Sequence, residues 1–281
     1  MDTLFILFQH IVPQHLLSRL TGWLAELRNP VWFKNFIIER FVSYFEVDMT
    51  EAEQPDPRAY GNFNEFFTRP LQSGARPIAD AGIVCPADGA VSQLGEIEKG
   101  RIFQAKGQYF STHELLGADE ERAALFHNGQ FATIYLSPRD YHRVHMPIAG
   151  QLTATCYIPG KLFSVNTTTA ENVERLFARN ERLVCYFDTE AGPMAMVLVG
   201  AMVVAGIDTV WSGQVAPVTR APVCADYQRL PEAISLDKGE EMGRFKLGST
   251  VILLFPNGSM QWDERYVVGT ATRLGEKLGT F

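Results

Sequence analysis

The sequence predicts an α+β protein: a mostly antiparallel β domain that carries an N-terminal amphipathic helical appendage. Three observations point there. Apolar residues before position 50 recur at helical spacing. From about Ile78 onward the chain breaks into short apolar runs separated by Pro, Gly, Asn or Asp. A single helical interlude, 170–178, interrupts that β series, and no internal repeat is present.

The first fifty residues hold two amphipathic patterns. Leu16, Leu17, Leu20, Trp23, Leu24 and Leu27 form one, and Trp32, Phe33, Phe36, Ile37, Phe41, Tyr44 and Phe45 the other. Pro13 and Pro30 mark the helix starts, where a missing N–H costs little. Such helices pack on a core more often than they lie in a membrane interface. An acidic, Pro-containing stretch, Glu46 to Gly61, reads as a linker, so residues 1–55 are assigned to the helical region and 56–281 to the β-rich domain. "FNEFFTRPL" (Phe63 to Leu71) follows as a short helix stopped by Pro70. The expected strands are 83–85, 90–94, 131–136, 152–158, 183–187, 195–204, 251–255 and 266–268.

Composition narrows the function. The net charge of −7 argues against a general nucleic-acid binder. The four cysteines, Cys85, Cys156, Cys185 and Cys224, are scattered without a CxxC pair, which predicts free thiols in a reducing compartment and no zinc knuckle. The N-terminus lacks a basic start and a small-residue cleavage site, and no stretch approaches the ~20 apolar residues of a membrane span. A cytoplasmic location is therefore expected.

Three stretches gather reactive side chains. "CPADGAV" holds Asp88 before Gly89, which also reads as a plain Asp-Gly turn. "SPRDYHRVHMP" holds His142 and His145. On a strand these would face opposite sides; on a helical turn they could share a metal, but no third ligand accompanies them; in a loop either could act as acid or base. "RFKLGSTVILLF" places Gly248-Ser249-Thr250 at the mouth of an apolar run. Ser249 does not sit in a G-x-S-x-G elbow, because residue 247 is Leu. Asp, His and Ser are the parts of a triad, yet residue types alone do not establish geometry.

Together, "FNEFFTRPL", "CPADGAV", "DYHRVHMP", "LFSVN" (Leu162 to Asn166) and "KLGSTVILLF" stand in the order found in phosphatidylserine decarboxylase proenzymes, and the chain resembles that family over about residues 60–269. The resemblance implies a precursor that cuts itself between Gly248 and Ser249 into a large subunit, 1–248, and a small one, 249–281. Asp88 would orient His145, and His145 would deprotonate Ser249. The scar at Ser249 becomes a covalent pyruvoyl group, the electron sink for decarboxylating phosphatidylserine to phosphatidylethanolamine and CO2, with no metal. His142 is assigned to decarboxylation or reprotonation, with His145 as second choice. Ser164 and Asn166 are candidate head-group contacts, or an ordinary strand end. A bilayer substrate implies a peripheral protein on the cytoplasmic face of the inner membrane, anchored by the N-terminal helices, and a dimer of processed units fits the family. Two rivals stand beside this reading: a serine hydrolase employing Asp88, His145 and Ser249 on an external ester, and a non-catalytic membrane adaptor, which would have no use for the Gly-Ser bond or the paired histidines.

Overall fold

The computed structural model describes residues 2–202, 206–216, 221–229, 231–246 and 249–281, the side chains of 2–4, 8 and 249 excepted. Three helices open the chain: α1 (Asp2–Ile11), α2 (Gln14–Ala25) and α3 (Val31–Phe45). Pro13 and Pro30 are the N-caps of the second and third, as their missing donors favour. A fourth helix, α4 (Phe63–Phe67), is capped by Asn62, whose side chain accepts from the Glu65 N–H at 2.8 Å.

The helical region is not free-standing. Ile38 of α3 joins Phe63, Phe66 and Phe67 of α4 in one buried cluster, and the Phe41 ring meets the Phe63, Phe66 and Phe67 rings at 5.0 to 5.9 Å. Burying each such phenylalanine contributes about 1.5–3 kcal/mol. Glu26, at the end of α2, accepts from the side-chain amides of Asn62 and Asn64, which ties the second helix to the fourth.

The main sheet is antiparallel. Its order runs 223–226, 150–158, 182–189, 192–200, 249–255, 130–136, 89–96 and 271–272, with 235–236 pairing the 150–158 strand as well. Strand 249–255 lies near the middle. Its Val251, Leu253 and Phe255 face one core, while Ile252 and Leu254 face another, and all five are fully buried. A strand covered on both faces needs apolar residues at every position, which is why this segment reads as an unbroken apolar run. A smaller sheet of 206–209, 213–216, 241–246 and 143–145 covers the first face through Ile207, Phe245 and Val144. Short helices and the 101–111 hairpin cover the second through Phe110, Leu115, Leu176 and Phe177.

Several expectations change. The segment 266–268 is loop rather than strand, and the 170–178 interlude is two short helices, Thr167–Asn172 and Leu176–Arg179. The strand expected over 195–204 runs from Gly192 to Gly200, and 203–204 lie outside the described residues. The expectation of four free thiols is corrected. Cys156 and Cys224 form a disulfide across 68 residues of sequence, and only Cys85 and Cys185 are free. These two residues are register partners on adjacent antiparallel strands, a proximity that spacing along the chain does not reveal. With one pair oxidised, the cysteines do not point to a reducing compartment.

Candidate active site

Ser249 opens the 249–255 strand, between Leu136 on one neighbour and Gly200 on the other. Gly248 and the Ser249 side chain lie outside the described residues. Directly after Leu136 comes the 137–145 segment with both histidines. It is tied down locally: Asp140 accepts from the Ser137 N–H at 2.6 Å and from its hydroxyl at 2.7 Å. The His142 carbonyl accepts from the Phe245 N–H at 3.0 Å, four residues before Ser249.

His142 is fully buried. Its Nδ1–H donates to the Asp140 carbonyl at 2.9 Å, and its ring lies 3.9 Å from the Phe67 ring. Burial drives its pKa down to about 3, so the imidazole is neutral. Its Nε2 has no hydrogen-bond partner among the described residues, and neither has the Thr250 hydroxyl, also fully buried. Buried polar atoms left unpaired are uncommon, and Thr250 directly follows Ser249.

His145 ends the 143–145 strand, fixed by its N–H to the Pro86 carbonyl at 2.8 Å. Its Nδ1–H donates to the Gly239 carbonyl at 2.9 Å, and its Nε2 meets the Tyr141 hydroxyl at 3.1 Å. Burial lowers its pKa below the ordinary histidine value, while the Gly239 bond and the charges of Glu241 and Asp88 pull the other way.

Asp88 sits in a bend rather than a hairpin turn, just before the 89–96 strand. Gly89 is required there, because a Cβ would stand 2.3 Å from the Tyr135 carbonyl oxygen. The Asp88 carboxylate is held by Arg76, with Nη2 at 2.6 Å and Nε at 3.1 Å, and by the Leu274 N–H at 2.8 Å. Arg76 also donates to Glu51, and Glu51 accepts from Arg273. The geometry therefore does not bring Asp88 into hydrogen-bond contact with His145; the Asp88 charge favours the imidazolium, but less than burial, the Gly239 bond, Glu241 and Arg143 act on it. Beside Asp88 opens a cavity of about 210 Å³ whose walls include Arg69, Arg76, Arg139, Asp140 and Tyr141.

Ser164 and Asn166 lie in the loop that precedes the short helix Thr167–Asn172. The Asn166 side chain accepts from the Thr169 N–H and hydroxyl, both at 2.9 Å, and so caps a short helix. Ser164 donates its N–H to Gln9 of α1 at 2.7 Å. Asn180 links this loop to the Ser249 strand end, donating to the carbonyls of Phe163 (2.8 Å) and Gly200 (2.9 Å).

The family model described as phosphatidylserine decarboxylase matches residues 63–280, and one described as PSD matches residues 4–46. A phosphatidylserine decarboxylase proenzyme from Stutzerimonas stutzeri (strain A1501) is 58% identical over 99% of this chain and 94% of its own length. The protein of the same name from Ectopseudomonas mendocina (strain ymp) is 58% identical, covering 98% and 97%. That from Azotobacter vinelandii is 57% identical, covering 99% and 98%.

This chain belongs to the phosphatidylserine decarboxylase family.

For a member of the phosphatidylserine decarboxylase family, several contacts here had no sequence signal. Arg76, the partner of Asp88, and the Gly239 carbonyl, the partner of His145, lie outside the reactive stretches that hold those two residues. Tyr141 did have one: it stands four residues before His145 inside the reactive stretch. Arg69 is 3% exposed, its Nε has no partner among the described residues, and burial lowers its pKa. Among the described residues no group of three His, Cys, Asp or Glu is placed to hold a metal ion, and no helix is long and apolar enough to cross a membrane.

Proposed function

We propose that this chain cuts itself between Gly248 and Ser249 and then decarboxylates phosphatidylserine to phosphatidylethanolamine and CO2. The observation that carries the reading is the position of Ser249. It opens a central strand at the point where the two-histidine segment and the 162–166 loop approach from opposite neighbours.

In the cleavage step, His145 takes the Ser249 hydroxyl proton at Nε2. Its Nδ1–H is committed to Gly239, so Nε2 is the basic nitrogen. Tyr141, now on that nitrogen, must yield to the serine hydroxyl. Asp88 supports the transfer by favouring the imidazolium through its charge. The serine oxygen attacks the Gly248 carbonyl carbon and displaces the Ser249 nitrogen, giving an ester. Loss of the Ser249 α-proton then breaks the Cβ–Oγ bond. The large subunit leaves with a Gly248 carboxylate, and a dehydroalanine remains at 249. Tautomerisation to an imine and attack by water release ammonia and leave a ketone.

The pyruvoyl group so formed supplies the electron sink that loss of CO2 requires. The unpaired Nε2 of His142 and hydroxyl of Thr250 suit a reacting group at this strand end. His142, neutral and packed on Phe67, offers the substrate carboxylate no counter-ion, so the charged ground state is not favoured over the departing CO2. Its unpaired Nε2 is open to a proton in transit, the resting ring staying neutral. Ser164 and Asn166 are assigned to the head group. Asn166 has its side-chain oxygen committed to a helix cap, so only its amide N–H groups are available.

The enzyme is assigned to the membrane surface. Leu7, Ile11, Leu16, Leu20, Trp23, Trp32 and Phe36 are all exposed on α1 to α3. The anionic cytoplasmic leaflet suits the slight cationic excess of the first forty residues. The proposal includes a dimer of processed units, which sedimentation would reveal. Intact mass under denaturing conditions tests the core claim: two fragments are expected, the smaller without a free amine and ending in a keto group. A single intact chain with full decarboxylase activity would overturn it, and an intact chain that hydrolyses esters would favour a serine hydrolase.

A further inference from the structure

We propose that Gln9 and Gln14 are positioning residues that shape the 162–166 loop for the phospholipid head group and tie the outward-facing helices to the active site. The proposal rests on the reading of that loop as the head-group contact.

Both glutamines are buried, at 0% and 7% exposure, in helices whose opposite sides carry exposed Leu7, Ile11, Leu16, Leu20 and Trp23. A buried carboxamide is costly unless its oxygen and nitrogen are both satisfied. Here they are, and the loop supplies the partners. Gln14 Oε1 accepts from the Leu162 N–H at 2.8 Å, and Gln9 Oε1 accepts from the Ser164 N–H at 2.7 Å. Gln9 Nε2 donates to the Thr169 hydroxyl at 3.2 Å, and Gln14 Nε2 donates to the Gln9 carbonyl at 2.8 Å, which links the two helices.

Between them the Phe163 N–H goes to Asn180 Oδ1 at 3.1 Å. Three consecutive backbone donors are thus held by three side-chain amides. No strand or helix ladder serves these N–H groups, so without those side chains they would lack partners. The His10 ring adds an edge contact to the Phe163 ring, 5.0 Å away. Asn180 also reaches Gly200, the register partner of Ser249. The path from the helices to the reacting residue is therefore continuous: Gln9 and Gln14, the loop, Asn180, Gly200, Ser249. Helices settled on a bilayer by their outer faces would present the loop in one geometry to a lipid arriving from that bilayer.

The test uses the full chain with Gln9→Met and Gln14→Met together, which keep side-chain length and apolar docking but remove both acceptors. Self-cleavage and co-sedimentation with vesicles of anionic phospholipid should match wild type. Hydrogen exchange at the Leu162 and Ser164 amides should rise at least about tenfold, and KM for short-chain phosphatidylserine about fivefold, with kcat within about twofold, the scale of one or two lost hydrogen bonds. Wild-type protection of both amides would overturn the latch. Fast exchange with unchanged KM would overturn its role in substrate positioning. Loss of self-cleavage and of melting temperature together would assign the glutamines to folding alone; the single Gln14→Met variant, which leaves Gln9 in place, is then read by the same exchange and KM criteria. Wild-type protein that neither cleaves at 248–249 nor decarboxylates would sink the decarboxylase reading, and the exchange result would still report on the latch.

Discussion

Arg76 grips both carboxylate oxygens of Asp88, with its shortest contact at 2.6 Å, and the His145 ring instead meets Gly239 and Tyr141. The side chains of the pair are 10% and 13% exposed, so solvent screens it only in part. Glu51 holds Arg76 from behind, and Arg273, beside the Leu274 N–H on Asp88, also binds Glu51. A closed ring of polar contacts therefore sets the Asp88 carboxylate, and it spans the expected cleavage point, since Arg273 and Leu274 belong to the 249–281 segment.

Removing the Arg76 charge should change self-cleavage through His145. Asp88 favours the protonated imidazole, and Arg76 offsets that field. In Arg76→Gln the His145 pKa rises from its lowered position, so the acid limb of the cleavage-rate profile moves to higher pH. Quantifying the uncut fraction by mass across pH 5–8 checks this. An unmoved limb would show that Arg76 does not tune His145 through the Asp88 charge.

Ser249→Ala should leave one intact chain without decarboxylase activity, because neither a nucleophile nor a leaving oxygen remains. Ser249→Thr, if it cuts, should yield a ketone one carbon larger. Denaturing mass spectrometry reads both outcomes. A chain still cut at this bond in the alanine variant would end the proposal.

His142→Phe should separate maturation from turnover. The chain should still cut itself, while kcat falls by about 10²–10⁴, the usual contribution of a positioned proton-handling group. The same variant bears on acid stability. Folded His142 titrates at about 3 and an unfolded histidine near 6.5, so its contribution is fully present above pH 6.5 and is lost as pH falls toward 3. Denaturant melts should show wild type losing up to about 1.4 kcal/mol per pH unit more than His142→Phe in that window. Equal slopes would mean that the native imidazole is not held neutral.

Trp23→Ser with Trp32→Ser should weaken binding to anionic vesicles at least about tenfold, given ~1.5–3 kcal/mol for each large apolar side chain withdrawn from water. The two are 61% and 70% exposed, so melting temperature and self-cleavage should stay unchanged. This pair is a cleaner probe than removing residues 1–45, which would also strip Ile38 and Phe41 from the core around α4. Undiminished vesicle binding would count against the membrane role.

The sequence by itself determined the layout: amphipathic helices first, then antiparallel strands, with an unbroken apolar run after Ser249. Those signals are local, because period and turn chemistry act over a few residues. Family membership was legible too, since its motifs are short and contiguous. Only the tertiary structure decided what meets what. It gave Asp88 to Arg76 rather than to His145, paired Cys156 with Cys224, packed α3 on α4, and put Gln9 and Gln14 on the 162–166 loop. These contacts join separate segments of the chain; the disulfide depends on strand register, and the others on which elements come together when the cores close, neither of which a local pattern records.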